Sequence, residues 1–232
     1  MTELAELVVG DVYERSDWGA PATPGGSRRD RQDVVGFTQH HTTGATLGVE
    51  DTVRWVFNIH EYHTNNNGWD DIGYAYLVDR FGNLFVGRGR YRSLAHARGY
   101  NSNWLGVAYL GSGIEGHVTD EGKITLHNLR KWLRGSGGMS NMNRTAGHRD
   151  LGSTSCPGSY LYRWAVELDM SLPKEVKMGT FSDVPEDHPH FEAIESLAEQ
   201  GVIAGYQDGT FKPEEPITRA QVASLINRAR NS

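Results

Sequence analysis

The sequence of 232 residues holds a single cysteine, Cys156, so no internal disulfide can form and the fold must stand on packing or on a bound metal. Positive charge is scarce, 23 Lys and Arg against 29 Asp and Glu, for a net charge of −6. No window carries the block of about five or six like charges that marks a nucleic-acid arm, so nucleic acid is not an expected partner. Divided at Ser171, the C-terminal part has 6 basic and 10 acidic residues, net −4, which leaves −2 for the rest. Bulk charge therefore holds neither part to an anionic polymer. Long apolar runs are missing as well. The opening MTELAELVVGDVYERSDWGA has no positive residue before Arg15 and only Leu7-Val8-Val9 as an apolar stretch. A signal-peptide core needs roughly 7 to 15 such residues, so neither a secretory signal nor a membrane span is expected.

The length fits one large domain with a small appendage. After an irregular opening around Trp18-Gly19-Ala20-Pro21, Val34 to His41 (VVGFTQHH) has the character of a buried strand. Glu50 to Tyr62 predicts a helix with Val53, Val56, Phe57 and Ile59 at helical spacing. Gly73 to Val78 and Asn83 to Val86 flank Asp79-Arg80-Phe81-Gly82, a turn sequence, and read as a hairpin. Leu105 to Leu110 predicts a strand, and Ile124 to Leu133 a helix stopped by Gly135-Ser136-Gly137-Gly138. Ser159 to Met170 reads as a third helix, packing Leu161, Trp164, Ala165 and Leu168. The alternation predicts an α/β domain over residues 10–170, a mixed central β-sheet flanked by helices. Residues 171–180, polar with Pro173 and Gly179, read as a linker, and 181–230 as a small, mostly α unit. In that unit Thr218 and Gln221 have the spacing of a capping box.

The strongest chemical signal is His148-Arg149-Asp150-Leu151-Gly152-Ser153-Thr154-Ser155-Cys156-Pro157-Gly158, which sets a His and the only Cys at the two ends of a Gly/Ser-rich loop. Two such ligands and a third nitrogen make a three-ligand zinc site with an open position, the catalytic arrangement. His40 and His41 are adjacent on a strand and point to opposite faces, so one of them supplies the third ligand. Periodicity does not say which. His60-Glu61-Tyr62-His63 imitates a metalloprotease helix but has the wrong spacing. His117, His127, His188 and His190 are expected on the solvated surface.

His40-His41-Thr42, Trp69-Asp70-Asp71-Ile72-Gly73-Tyr74, His96 to Gly106 (HARGYNSNWLG) and GHRDLGSTSCPG, in that order behind Arg15-Ser16-Asp17-Trp18-Gly19-Ala20, resemble the peptidoglycan recognition protein and phage-lysozyme type of N-acetylmuramoyl-L-alanine amidase. The resemblance covers about residues 13–168. It implies Zn2+ bound by His40, His148 and Cys156, with Tyr74 as catalytic tyrosine and Thr154 as a second catalytic residue, at the place where phage members carry a Lys and recognition-protein amidases a Thr. It also implies that His41, Thr42, His63, His96 and Asn101 contact the muramyl peptide, so that bacterial peptidoglycan is the substrate. Family members that bind without cutting typically lack the cysteine, so Cys156 favours a hydrolase over a non-hydrolytic recognition module or wall-anchored adaptor.

The tail also carries a resemblance. Phe181-Ser182-Asp183-Val184-Pro185, Gly205-Tyr206-Gln207-Asp208-Gly209-Thr210-Phe211 and Ile217-Thr218-Arg219-Ala220-Gln221 look like one S-layer homology repeat, with Pro189-His190 and Gln221 departing from the usual pattern. Such repeats imply secondary cell-wall polymer as a partner, or a homotrimer assembled through the tails. Without a signal segment the expected setting is that of a phage endolysin, in the host cytoplasm until released onto the wall.

Overall fold

The computed structural model describes residues 4–44, 49–171, 180–184, 188–206, 209–213 and 215–230. The chain divides into two compact units, Met1–Leu172 and Pro173–Ser232. Most of the expected linker lies outside the described residues, as do Pro185, Gln207 and Asp208 of the tail motifs.

The first unit is a mixed α/β fold around one six-stranded sheet. Its strands are β1 (Val12–Tyr13), β2 (Gly36–His41), β3 (Tyr76–Val78), β4 (Leu84–Val86), β5 (Trp104–Tyr109) and β6 (Arg144–Gly147), in the order β1-β4-β3-β5-β2-β6. Only β3 and β4 pair antiparallel, as the hairpin spacing predicts. β5 is central and buried along its length, which is why its sequence runs apolar instead of alternating, whereas its neighbour β2 buries Phe37 together with the polar side chains of Thr38, Gln39 and His40. Helices α1 (Val49–Glu61) and α2 (Asp120–Arg134) follow, and α2 is capped by Thr119, whose hydroxyl accepts from the Gly122 N–H. Short helices α3 (His148–Leu151) and α4 (Ser159–Tyr162) flank the Cys156 loop.

Four expectations are corrected. The unit begins before residue 10, because Leu4, Leu7 and Val8 pack on the core with Val12. Leu168 is exposed, whereas Leu161, Trp164 and Ala165 are buried as expected. After α4 the chain runs through a π-helical turn, Arg163–Glu167, and then reverses with positive φ at Asp169 and Met170; this turn, closed by the Met170 N–H on the Trp164 carbonyl at 2.9 Å, carries Met170 into the core and leaves Leu168 outside. On α1 the fully inward residues are Thr52, Val56 and His60, one every four positions, and Phe57 is exposed. Of the four histidines expected on the surface, His117, His127 and His188 are half-buried and His190 is exposed, and His127 Nδ1 donates to the Met170 carbonyl at 2.8 Å.

The opening RSDWGA segment has a structural role. Buried Arg15 forms an ion pair with Asp71 at 2.9 Å and donates to the carbonyls of Pro21 and Gly87. His60 Nε2 lies 3.3 Å from the same carboxylate, which accounts for the first His of the metalloprotease-like stretch. This paired, hydrogen-bonded cluster ties α1 to the loop ahead of β3, where Tyr74 stands.

The second unit holds α5 (Phe191–Glu199) and α6 (Arg219–Ala229) over a core of Phe181, Val184, Ile194, Val202 and Ile203. The Asp183 carboxylate accepts from the N–H groups of Phe211 and Lys212, both at 2.7 Å, and Phe181 stacks on Phe211. The Thr218–Gln221 capping box forms: Gln221 Oε1 accepts from the Thr218 N–H, and the Gln221 N–H donates back to the Thr218 hydroxyl.

Candidate functional site

Strand register brings the first two ligands together. β2 and β6 run parallel, and their last pair is Gln39 with Gly147. One residue further on, His40 and His148 leave the two strands side by side, with ring centroids 4.5 Å apart. β6 is not predicted from the sequence, because RTAG offers one small buried apolar residue and no alternation.

Cys156 arrives from the loop after α3. Arg149 shapes that loop, with its backbone N–H on the Cys156 carbonyl at 2.8 Å, its guanidinium on the Ser155 carbonyl at 2.7 Å, and its side chain over the Tyr162 ring. Asp150 accepts from the Gly147 N–H and the Tyr162 hydroxyl. The Cys156–Pro157 peptide bond is cis. Gly113 permits the close approach of this loop, since a Cβ there would lie 2.9 Å from the Pro157 carbonyl carbon.

The outcome is a cluster in which the ligating atoms of His40, His148 and Cys156 all lie within 4.8 Å of one another. Cys156 Sγ is 3.7 Å from His40 Nδ1. Ligands around a tetrahedral zinc ion, with Zn–S about 2.3 Å and Zn–N about 2.0 Å, stand roughly 3.3 to 3.6 Å apart. The donor set therefore fits such an ion after a small contraction, and it is chemically apt: two imidazoles and a thiol. His40 and Cys156 are buried, and His148 is half-exposed.

The electrostatics favour neutral imidazoles. Burial, then His96 and His148, pushes the His40 pKa far below the usual imidazole value, and burial also lowers that of His148. Burial raises the Cys156 thiol to about 11, against weaker opposing pulls from the His41 N–H and Arg149. The thiol is thus protonated near neutral pH unless a cation stands beside it.

Tyr74 flanks the cluster, its ring centroid 5.2 Å from that of His40. Desolvation first, then the Cys156 sulfur, raises its phenol pKa, so it keeps its proton. Thr154 is exposed, and its Oγ1 accepts from the Cys156 N–H at 3.2 Å, leaving its own proton to donate outward.

A groove of about 390 Å3 opens beside the cluster, lined by His41, Thr42, Trp55, Asn58, Ile59, Tyr62, His63 and Tyr74. His41 Nδ1 accepts from the Gly113 N–H and His63 Nδ1 from the Gly73 N–H, at 3.0 and 3.1 Å. Each neutral ring then carries its proton on Nε2, so both histidines are left with an N–H donor. His63 stays uncharged at neutral pH, since burial, then Arg88 and His60, lowers it to about 4. Of the expected substrate contacts, His41, Thr42 and His63 line this groove and His96 and Asn101 do not. His96 is buried behind His40, and the Asn101 carboxamide accepts from the N–H groups of His96 and Ala97. Trp55 and Asn58 of α1, and Tyr62 just beyond its end, also line the groove, and sequence reasoning did not single them out.

Comparisons with known proteins agree with this geometry. Residues 30–159 match the N-acetylmuramoyl-L-alanine amidase family, and residues 180–223 match the S-layer homology domain. The chain is similar to Peptidoglycan-recognition protein SC2 of Drosophila simulans, 29% identical over 164 residues, covering 68% of this chain and 86% of that protein. It is also similar to the human N-acetylmuramoyl-L-alanine amidase, 31% identical over 167 residues, covering 69% of this chain and 29% of that longer protein. Among solved structures, bumblebee PGRP-SA superposes with a TM-score of 0.61 at 29% identity, covering 66% of this chain and 92% of that one. With the family match spanning β2 to β6, the groove and the three clustered residues, the chain belongs to the N-acetylmuramoyl-L-alanine amidase family and carries an S-layer homology domain after it in sequence.

Proposed function

We propose that this chain is a zinc hydrolase that cuts the amide bond between N-acetylmuramic acid and L-alanine in bacterial peptidoglycan. The observation that carries the reading is the convergence of His40, His148 and Cys156 next to Tyr74 at the edge of a groove, in a chain of an amidase family. The chemistry a zinc ion supplies in a three-ligand site is Lewis acidity and activation of water near pH 7.

The chain's own groups do the rest. His41 and His63 offer N–H donors for carbonyl groups of a stem peptide, and Trp55 and Tyr62 give apolar surface for its remainder. Tyr74, a phenol that stays protonated, donates to the oxygen on which negative charge develops during attack on the amide. Thr154 donates from the other flank through its outward hydroxyl. The test is product analysis on purified walls: new N-terminal L-alanine must appear without new reducing sugar. Reducing ends without free alanine termini reject this bond.

The tail unit directs the enzyme to the wall in this proposal. It contains a cavity of about 680 Å3 lined by Tyr206, Phe211, Lys212, Gln221 and Arg228 among others, with Lys212 Nζ 4.7 Å from the Tyr206 ring centroid. Aromatic surface beside Lys212 and Arg228 suits a saccharide polymer, although Glu215 lines the same cavity and pairs with Lys212 at 3.5 Å. Deleting residues 174–232 is expected to leave cleavage of soluble muropeptides intact and to cut co-sedimentation with intact walls severalfold. Equal wall retention rejects the targeting role. Delivery onto the wall after release from a host cytoplasm, as a phage endolysin, belongs to the same proposal and rests on this pairing of an amidase with a wall-directed repeat.

A further inference from the structure

His40 presents one ring nitrogen to the ligand cluster and the other to a second imidazole. Its Nδ1 faces Cys156, and its Nε2 lies 2.9 Å from His96 Nδ1. At the far end of the chain of contacts, His96 Nε2 meets the Trp104 carbonyl at 3.3 Å. A carbonyl only accepts, so His96 Nε2 carries the hydrogen. Both rings are buried and neither is hydrogen-bonded to a carboxylate among the described residues, so nothing there balances a ring charge and His96 presents a bare Nδ1. The proton between the rings therefore belongs to His40 Nε2, and the lone pair on His40 Nδ1 is left pointing at the cluster.

We infer that His96 is a positioning residue that fixes His40 in its Nε2–H tautomer and so keeps Nδ1 available as a metal ligand. Ligating histidines commonly donate their second N–H to a carboxylate or a backbone carbonyl, and here an imidazole takes that place. Three features hold the His96 ring where it must be. Gly106 on β5 gives it room, since a Cβ at that position would lie 2.7 Å from His96 Nδ1. Asn101 Oδ1 pins the His96 and Ala97 N–H groups at 2.8 and 3.0 Å, and the Trp104 carbonyl orients the outer nitrogen. His96 and Asn101 thus act through His40.

The use of this tautomer rests on the zinc reading above, but the tautomer itself does not, and the test separates them. Asparagine at 96 puts an acceptor oxygen where Nδ1 stands. Glutamine reaches the Nε2 position instead, and alanine supplies neither. In metal-free full-length chain at pH 7.5, long-range 1H–15N correlation of the imidazoles is expected to show His40 as Nε2–H in the parent and in His96→Asn. His96→Gln and His96→Ala are expected to show mixed tautomers. Chelator competition is expected to give zinc affinity near the parent value for His96→Asn and roughly 10- to 100-fold weaker for the other two. A His40 Nδ1–H tautomer in the parent overturns the inference. So do equal zinc affinities in all four proteins, or losses that follow thermal melting regardless of which atom is restored. A parent chain that takes up no zinc removes the proposed cofactor, while the nitrogen shifts still decide the tautomer.

Discussion

Cys156→Ser is expected to abolish hydrolysis, lowering turnover at least a thousandfold on the order set by loss of a whole catalytic group, while muropeptide binding in the groove survives. The reason lies in the proton inventory of the ligands. His40 and His148 are already neutral near pH 7, because burial lowers both pKa values, so neither gives up a proton when a cation enters. Cys156 does, since burial holds its thiol at about 11. Zinc uptake by the parent chain must therefore release the thiol proton, and just below pH 7, where a zinc-held water would still keep both of its protons, the apparent affinity must rise about tenfold per pH unit. A serine hydroxyl does not ionise in that range, so the variant loses both the anionic ligand and the pH slope. Isothermal titration in buffers of different ionisation enthalpy counts the proton, and EDTA treatment followed by zinc addition should restore only the parent. Undiminished hydrolysis by Cys156→Ser, or a parent that takes up zinc without releasing a proton, rejects the assigned ligand set.

The same proton inventory shows what can be read from residues and what requires the fold. His148 and Cys156 were legible as a candidate ligand pair because they bracket a glycine-rich loop, whereas spacing left His40 and His41 open and only the family resemblance selected His40. Their meeting depends on β6, an edge strand whose four residues bury only a small side chain and so leave no apolar period. β1, the other edge, is two residues long and equally silent. The helical reading of Ser159 to Met170 failed at its last turn, because the helix ends at Glu167 and the chain reverses with positive φ at Asp169 and Met170, non-glycine positions where such a conformation is not announced. His96 and Asn101 show a different limit. Their residue types suit a ligand contact, and only burial and hydrogen-bond partners reveal that one supports His40 and the other supports the backbone beneath it. Trp55 and Tyr62 were passed over for another reason: the helical spacing selects Val53, Val56, Phe57 and Ile59, and only the groove shows what the residues beside them line.

Tyr74→Phe is expected to lower kcat about 100- to 1000-fold with KM nearly unchanged, the loss typical of one donor to a developing oxyanion. Three observations make this substitution clean. The phenol lies beside the cluster and lines the groove, so it meets the scissile end of a bound substrate. Its hydroxyl makes no hydrogen bond to another described residue, so removing the oxygen breaks no contact that holds the fold. Its pKa is raised, by desolvation and then by the Cys156 sulfur, so the group is a donor throughout the physiological range and never the base. The sign of that shift makes a second, independent expectation. A phenol that acted by ionising would give the parent an alkaline limb that vanishes in the phenylalanine variant, whereas a donor that stays protonated lowers the whole rate profile without changing its shape below about pH 10. Steady-state kinetics on a soluble muropeptide across that range distinguishes the two. A variant that keeps parental kcat, or that loses only affinity, removes Tyr74 from the reacting centre and leaves it as a wall of the groove.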